Sequence, residues 1–119
     1  MITIYHNPRC RKSREALEEL TASGLPHEIR LYLQNNLSQA ELKELLKKLG
    51  MNAESLIRKG EAIWKSDYKG KDMSEADFVQ AMLDHPKLME RPVLSTDTGA
   101  TVGRPIENVK VFLENLKQD

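Results

Sequence analysis

The stretch Ile2-Thr3-Ile4-Tyr5-His6-Asn7-Pro8-Arg9-Cys10-Arg11-Lys12-Ser13 runs from an alternating apolar segment, through a turn, into the only cysteine of the chain and the start of an amphipathic segment. Ile2 and Ile4 flank Thr3 as in a short strand, and Asn7-Pro8 turns the chain. From about Lys12 to Ser23, Ala16, Leu17 and Leu20 share one helical face with Glu15, Glu18 and Glu19 opposite, and Gly24 is a natural stop. A cysteine at such a strand-to-helix junction meets unpaired backbone N–H groups and the positive end of a helix dipole, which favour thiolate over thiol. Arg9, Arg11 and Lys12 act in the same direction. A helix start that stabilises a thiolate also suits an incoming oxyanion. A lone cysteine can instead be a small buried hydrophobe, but three neighbouring cations and a loop proline favour a reactive thiol.

Working outward, His27 to Leu33 alternates again, with Ile29, Leu31 and Leu33 to one side and Glu28, Arg30 and Tyr32 to the other, and reads as a second strand. Ser38 with Glu41 forms a capping-box signature, followed by Leu42, Leu45, Leu46 and Leu49 at helical spacing until Gly50. Asn52 is placed to cap a short helix through Arg58 and Lys59, closed by Gly60. Ser74 with Asp77 opens another helix, carrying Phe78, Ala81 and Met82 and ended by His85-Pro86. Glu61 to Asp72 has no clear period and reads as loop or frayed helix. Pro92 to Ser95 and Ala100 to Val102 form a hairpin about Asp97-Thr98-Gly99. Pro105 then suits the first turn of a last helix with the stripe Val109, Phe112, Leu113 and Leu116.

The order βαβ, helical block, ββα predicts an α/β, thioredoxin-like fold: a mixed four-stranded sheet with strand one central. The helical insertion is expected over about residues 38–90, inside a single domain spanning 1–119. Eighteen basic and eighteen acidic residues give a formal net charge of zero, so no global field draws the protein to nucleic acid or a membrane. With one cysteine there is no internal disulfide, and no apolar stretch approaches the ~20 residues of a bilayer span. No signal-peptide pattern is seen, so a cytoplasmic location is expected; the protein is also expected to be a monomer.

Cys10-Arg11-Lys12-Ser13 occupies the slot where thioredoxin-like folds commonly carry a redox-active residue. A Cys-x-x-Cys resolves its own mixed disulfide; Ser13 cannot, so turnover needs a thiol from elsewhere. Ser13 either donates a hydrogen bond to the thiolate or is an ordinary first-turn residue. His6 either hydrogen-bonds into the loop to help hold the thiolate or is a satisfied strand-end histidine. His27 and His85 lack partners at ligand spacing, so no metal site is assigned. A phosphatase-type Cys-x5-Arg loop would need arginine at position 16, where the chain has Ala16. Arg91 precedes Pro92 and Arg104 precedes Pro105; Pro92 fits the cis proline that often opens the third strand of such folds. Guanidiniums carried there could converge on an anion at Cys10, the alternative being two solvated arginines.

Ile4-Tyr5-His6-Asn7-Pro8-Arg9-Cys10, Leu56-Ile57-Arg58-Lys59, His85-Pro86-Lys87-Leu88-Met89-Glu90-Arg91-Pro92 and Gly103-Arg104-Pro105 together resemble the glutaredoxin-coupled arsenate reductase family, nearest its short bacterial members. The resemblance implies that Cys10 is the nucleophile, that His6 assists its ionisation, and that Arg58, Arg91 and Arg104 bind the oxyanion. Ser13 matches the family's serine. It further implies arsenate as substrate, glutathione as co-substrate, a glutaredoxin partner and no bound cofactor. Arg11-Lys12 departs from the small residues usual there, which puts the substrate in question. Spx-like regulators that bind RNA polymerase share the fold but typically carry Cys-x-x-Cys, and Ser13 argues against them. The alternatives are a thiol oxidoreductase with another oxyanion or protein substrate, and a non-catalytic interaction module.

Overall fold

A computed structural model describes residues 1–117. It contains β1 (Ile2–Tyr5), α1 (Arg11–Ser23), β2 (His27–Arg30), α2 (Gln39–Leu49), α3 (Ala62–Asp67), α4 (Glu75–Asp84), β3 (Val93–Ser95), β4 (Ala100–Val102) and α5 (Ile106–Lys117). Two compact units result, one formed by Met1–Asn35 with the chain from Arg91 onward, the other by Asn36–Glu90.

The first unit holds the whole sheet, in the order β2-β1-β3-β4. β1 pairs parallel with β2, from Ile2 opposite His27 to Tyr5 opposite Arg30, and antiparallel with β3, where Tyr5 faces Val93. β3 and β4 close the hairpin, Val93 opposite Val102. The alternation of Ile2 and Ile4 sends both into a core with Ala16 and Leu20 of α1, Leu94 of β3, and Val109 and Leu113 of α5. The buried face lies on the two central strands, β1 and β3, and fixes their register, while the edge strands β2 and β4 carry no fully buried residue. The βαβ crossover followed by a hairpin and helix is the thioredoxin-like arrangement.

The second strand differs from its expected form. It ends at Arg30 rather than Leu33, and Gln34 and Asn35 donate their N–H groups to the Leu31 carbonyl in a turn. Within the strand Glu28 and Ile29 are both exposed, Ile29 at 49%, whereas Tyr32 beyond it is fully buried. β2 lies at the sheet edge with β1 as its sole neighbour among the described residues, and β1 leaves the sheet after Tyr5. Beyond the bond from His6 N–H to Arg30 O (2.9 Å) no ladder remains to join, so the chain turns and Tyr32 goes inward.

In the second unit, α2 forms where its capping box predicts it and α4 where Ser74 with Asp77 opens it, the latter pair also proving to be a capping box. Ser38 Oγ accepts from Glu41 N–H (3.1 Å) while Ser38 N–H donates to Glu41 Oε1 (2.8 Å), and Ser74 with Asp77 repeats the pattern at 3.2 and 3.0 Å. α2 buries Leu42, Leu45 and Leu46, and α4 buries Val79, Ala81 and Met82. The helix expected over 52–59 is reduced to one 3-10 turn, Glu54–Leu56. Asn52 Oδ1 still caps it, accepting from Ser55 N–H and Oγ–H at 3.0 and 2.7 Å. The chain then extends: Ile57 bridges Met89, Arg58 N–H donates to Leu88 O (2.7 Å), and Glu90 N–H donates to Leu56 O (2.8 Å). Those bonds take the backbone groups that a longer helix would need. Within the unassigned stretch, α3 buries Trp64, which stacks on Tyr68 and Phe78 with ring centroids 5.5 and 6.1 Å apart. Among the described residues no helix is long and apolar enough to cross a membrane.

Candidate active site

The loop from β1 to α1 is held by short-range bonds that its own sequence supplies. Asn7 accepts twice, its carbonyl from Cys10 N–H (3.0 Å) and its Oδ1 from Arg9 N–H (3.0 Å), the side-chain turn expected before a proline loop. Arg14, one turn into α1, donates Nη1 to the Pro8 carbonyl (2.9 Å). Arg14 N–H reaches Cys10 O (3.0 Å), the first helical bond. Cys10 is therefore the N-cap, with extended backbone (φ −93°, ψ 121°), and its thiol is half-buried without closing a capping hydrogen bond of standard geometry.

That position decides the ionisation of the thiol. Burial pushes it up, but the Ser13 backbone N–H, the Arg91 side chain, the Lys12 backbone N–H and the Arg91 charge outweigh burial and leave it below the ordinary thiol value. Arg91 is the side chain in closest electrostatic partnership with the sulfur. Arg11, by contrast, is held on the helix surface: Nε pairs with Glu15 at 3.1 Å and the side chain is 83% exposed. The loop cation that departs from the family's small residues is thus compensated by a carboxylate one turn on.

Ser13 and His6 are buried together behind the cysteine, at 0% and 5% exposure. Ser13 Oγ lies 2.7 Å from His6 Nδ1 and accepts from Asn7 N–H at 3.0 Å. The Ser13 oxygen is thus fully buried and engaged by β1 and the loop. What Ser13 offers the sulfur is its backbone N–H. Burial first, then the positive charge of Arg14, holds the His6 imidazole below the ordinary histidine range, so the ring is neutral at pH 7. His6 Nδ1 and Ser13 Oγ share a hydrogen bond whose donor is set by the imidazole tautomer, and the serine oxygen also accepts from Asn7 N–H. His6 therefore braces the helix start and is not itself a cation beside the thiolate.

The sheet brings two arginines to the same end. Since Tyr5 faces Val93 and Val93 faces Val102, Arg91-Pro92 lies beside the exit of β1, and Gly103-Arg104 lies beside Arg91-Pro92. Gly103 N–H donates to Pro92 O at 2.8 Å. Both the Arg91–Pro92 and Arg104–Pro105 peptide bonds are cis. The approach is close: a Cβ on Gly103 would stand 2.8 Å from Pro92 Cγ and 2.9 Å from Val109 Cγ2. The Arg104 guanidinium is half-buried and makes no ion pair or hydrogen bond among the described residues, so its charge is available to a ligand. Arg58 belongs to the other unit, where Nη1 pairs with Glu61 and Nε with Glu90, each at 2.9 Å. Two carboxylates compensate its charge, which sets it apart from Arg104. Among the described residues no group of three or more His, Cys, Asp and Glu could hold a metal ion.

Arg14 and Gly103 are the two residues of this site to which sequence reasoning gave no role. For Arg14 the only signal is its spacing, six residues after the proline whose carbonyl it grips. For Gly103 it is the placement of a glycine directly between a strand and an arginine-proline pair.

Comparison with known proteins identifies the family. The ArsC family model matches residues 5–112. The protein YfgD of Escherichia coli K12 is 46% identical over 110 residues, covering 91% of this chain and 92% of its own. An arsenate reductase of Neisseria meningitidis is 39% identical over 116 residues, covering 94% and 97%. The solved structure of an arsenate reductase from Vibrio cholerae superposes with a TM-score of 0.87 at 38% identity, covering 92% of this chain and 95% of that one. A family match across nearly the whole chain, joined to relatives of this identity, leads to one conclusion: the chain belongs to the ArsC family.

Proposed function

We propose that the protein is an arsenate reductase in which Cys10 is the nucleophile and glutathione with glutaredoxin supplies the electrons. The observation that carries this reading is a half-buried thiol held below its ordinary pKa at an open helix start, with Arg91 beside it. The names of the relatives support the choice of arsenate among oxyanions. The Cys10 thiolate attacks the arsenic of arsenate, a sulfur–arsenic bond forms, and one oxygen leaves as water after protonation. Glutathione thiolate then attacks the Cys10 sulfur; the sulfur–arsenic bond breaks, its electron pair stays on arsenic, and arsenite departs. Two thiols have now given two electrons, and the product is a disulfide between Cys10 and glutathione. A glutaredoxin thiolate removes the glutathione and returns Cys10.

In this scheme Arg91 and Arg104 neutralise the arsenate oxygens, and the amide groups of the first turn of α1 receive the charge that moves through the sulfur. Arg58 is assigned to the same oxyanion by family resemblance. Ser13 and His6 act through the loop by keeping those amides aimed. The test is arsenite formation by purified protein with arsenate, glutathione and glutaredoxin. Arsenite that requires all three components and disappears in Cys10→Ser is the expected result; the same arsenite yield with Cys10→Ser overturns the reading.

A further inference from the structure

A cleft of about 570 Å³ runs along the outer face of α1 away from the cysteine loop, beginning at Pro8 and Arg14 and passing Leu17, Glu18 and Thr21 to Ala22. Its size falls within the range of small-ligand sites. Its polar groups are arranged unusually. Arg14 and Glu18 stand one turn apart, a spacing at which opposite charges ordinarily pair, yet no bond joins them. Arg14 gives Nη1 to the Pro8 carbonyl, and Glu18 has no ion pair or hydrogen bond among the described residues. Cation and anion thus both face the cleft uncompensated by each other, with Leu17 between them as an apolar strip. The eight residue steps of helix from Arg14 to Ala22 advance about 12 Å, close to the roughly 10 Å of an extended tripeptide. The cationic end is the one nearest the sulfur, since Arg14 donates its own N–H to Cys10 O.

We propose that this cleft is the subsite for the thiol co-substrate, a short thiol peptide of the glutathione class, with a peptide carboxylate on Arg14 and its ammonium on Glu18. A small uncharged thiol has neither handle, and a phosphate or sulfate has only one. The proposal rests on the thiol-dependent reading above and adds the place from which the second thiol attacks. The step it serves is thiolate attack on the Cys10 sulfur, with the bond from that sulfur to its leaving group breaking and the leaving group taking the electron pair.

The step can be followed without arsenic. Cys10 is converted to its mixed disulfide with thionitrobenzoate, and release of thionitrobenzoate is recorded against the concentration of glutathione or of 2-mercaptoethanol. Saturation with glutathione and a linear dependence for mercaptoethanol are expected. Glu18→Gln removes the anion that would hold the ammonium and leaves the Arg14 bond to Pro8 in place, and Ala22→Trp fills the far end of the cleft from an exposed position. Either change should weaken the glutathione response about tenfold, the scale of one charge-assisted hydrogen bond, while the ratio to mercaptoethanol collapses. A linear glutathione response in the parent overturns the proposal, as does equal slowing of both thiols in both variants. The arsenite assay is independent: a parent that makes arsenite yet responds linearly loses the cleft alone, and one that saturates but makes no arsenite keeps the thiol subsite and loses the arsenate reading.

Discussion

At Ser38 the first turn of α2 is closed from both sides, hydroxyl to the Glu41 amide and carboxylate back to the Ser38 amide; at Cys10 the first turn of α1 is left without a side-chain cap. The same backbone geometry is present at both, an extended N-cap followed by helical residues. α2 spends its orphan N–H groups internally and gains about 1 kcal/mol of stability. α1 forgoes that gain and keeps its amides for whatever carries negative charge at position 10. Its mechanical support comes from the side: the buried His6–Ser13–Asn7 bonds and the Arg14 clamp on Pro8 replace the missing cap. An uncapped helix start braced by buried hydrogen bonds is the mark of a site, and a boxed one the mark of a scaffold.

The largest effect is expected from making α1 resemble α2. Cys10→Ser should abolish arsenite formation, and at low pH, where the parent thiol is protonated, should raise stability by about 0.5–1 kcal/mol, since serine caps well. Chemical denaturation reads the second number. The difference between the two proteins should also depend on pH in a defined direction. Because the folded-state thiol pKa is depressed, folding favours the thiolate; that contribution is complete above the ordinary thiol value of 9.0 and is lost as pH falls through the folded-state value. Parent stability relative to Cys10→Ser should therefore climb with pH across that interval and level off above it.

Next in size is Arg91→Ala. It removes both a hydrogen bond and a charge from the sulfur, so the pH midpoint for alkylation of Cys10 should rise and the rate of arsenate reduction should fall about 10²-fold. Arg91→Lys should recover little, because a point charge lacks the fork that grips two oxygens. A midpoint unchanged by Arg91→Ala would mean that the helix amides alone set the thiol.

Gly103→Ala tests whether the hairpin arginines are placed by packing. The new methyl group would meet the rigid Pro92 ring and Val109, both inside 3.0 Å. Moving them should cost about 1–3 kcal/mol and should weaken the protection of Cys10 by sulfate or arsenate against a neutral alkylating reagent. Full protection at full stability would show that Arg91 and Arg104 find the anion without this contact.

Much of this was legible in the sequence because it is local. The β1–loop–α1 junction, the helix starts at Ser38 and Ser74, the hairpin and the α5 stripe each depend on residues within a few positions of one another, and period and capping signals report those directly. Long-range bonds decide what was misread. β2 stops at Arg30 because β1, 25 residues earlier in register, has already left the sheet. The helix at 52–59 gives way because Ile57 and Arg58 pair with Met89 and Leu88. In the site, a thiol at a helix start could be read from Cys10 and its neighbours, but the buried partner of the Ser13 hydroxyl could not, since nothing in Cys-x-x-Ser distinguishes a serine facing the sulfur from one turned toward the strand behind it. Arg58 was grouped with Arg91 and Arg104 by motif, and its second carboxylate, Glu90, lies too far along the chain to be foreseen.

The smallest effect on chemistry should come from Ser38→Ala, which makes the comparison from the other side. Loss of the hydroxyl strands the Glu41 amide at an exposed helix start, where water replaces much of the lost bond, so a cost of about 1 kcal/mol is expected. Glu41 keeps its bond to the backbone N–H of residue 38, which alanine retains, so half of the box survives. Nothing in that change alters the bonds that brace the first turn of α1, which come from His6, Asn7 and Arg14. The alkylation midpoint of Cys10 and the rate of arsenite formation should therefore match the parent's at temperatures where both proteins are folded. A shift in either would mean that the two helix starts are coupled, and that the openness of α1 is not a local property of its loop.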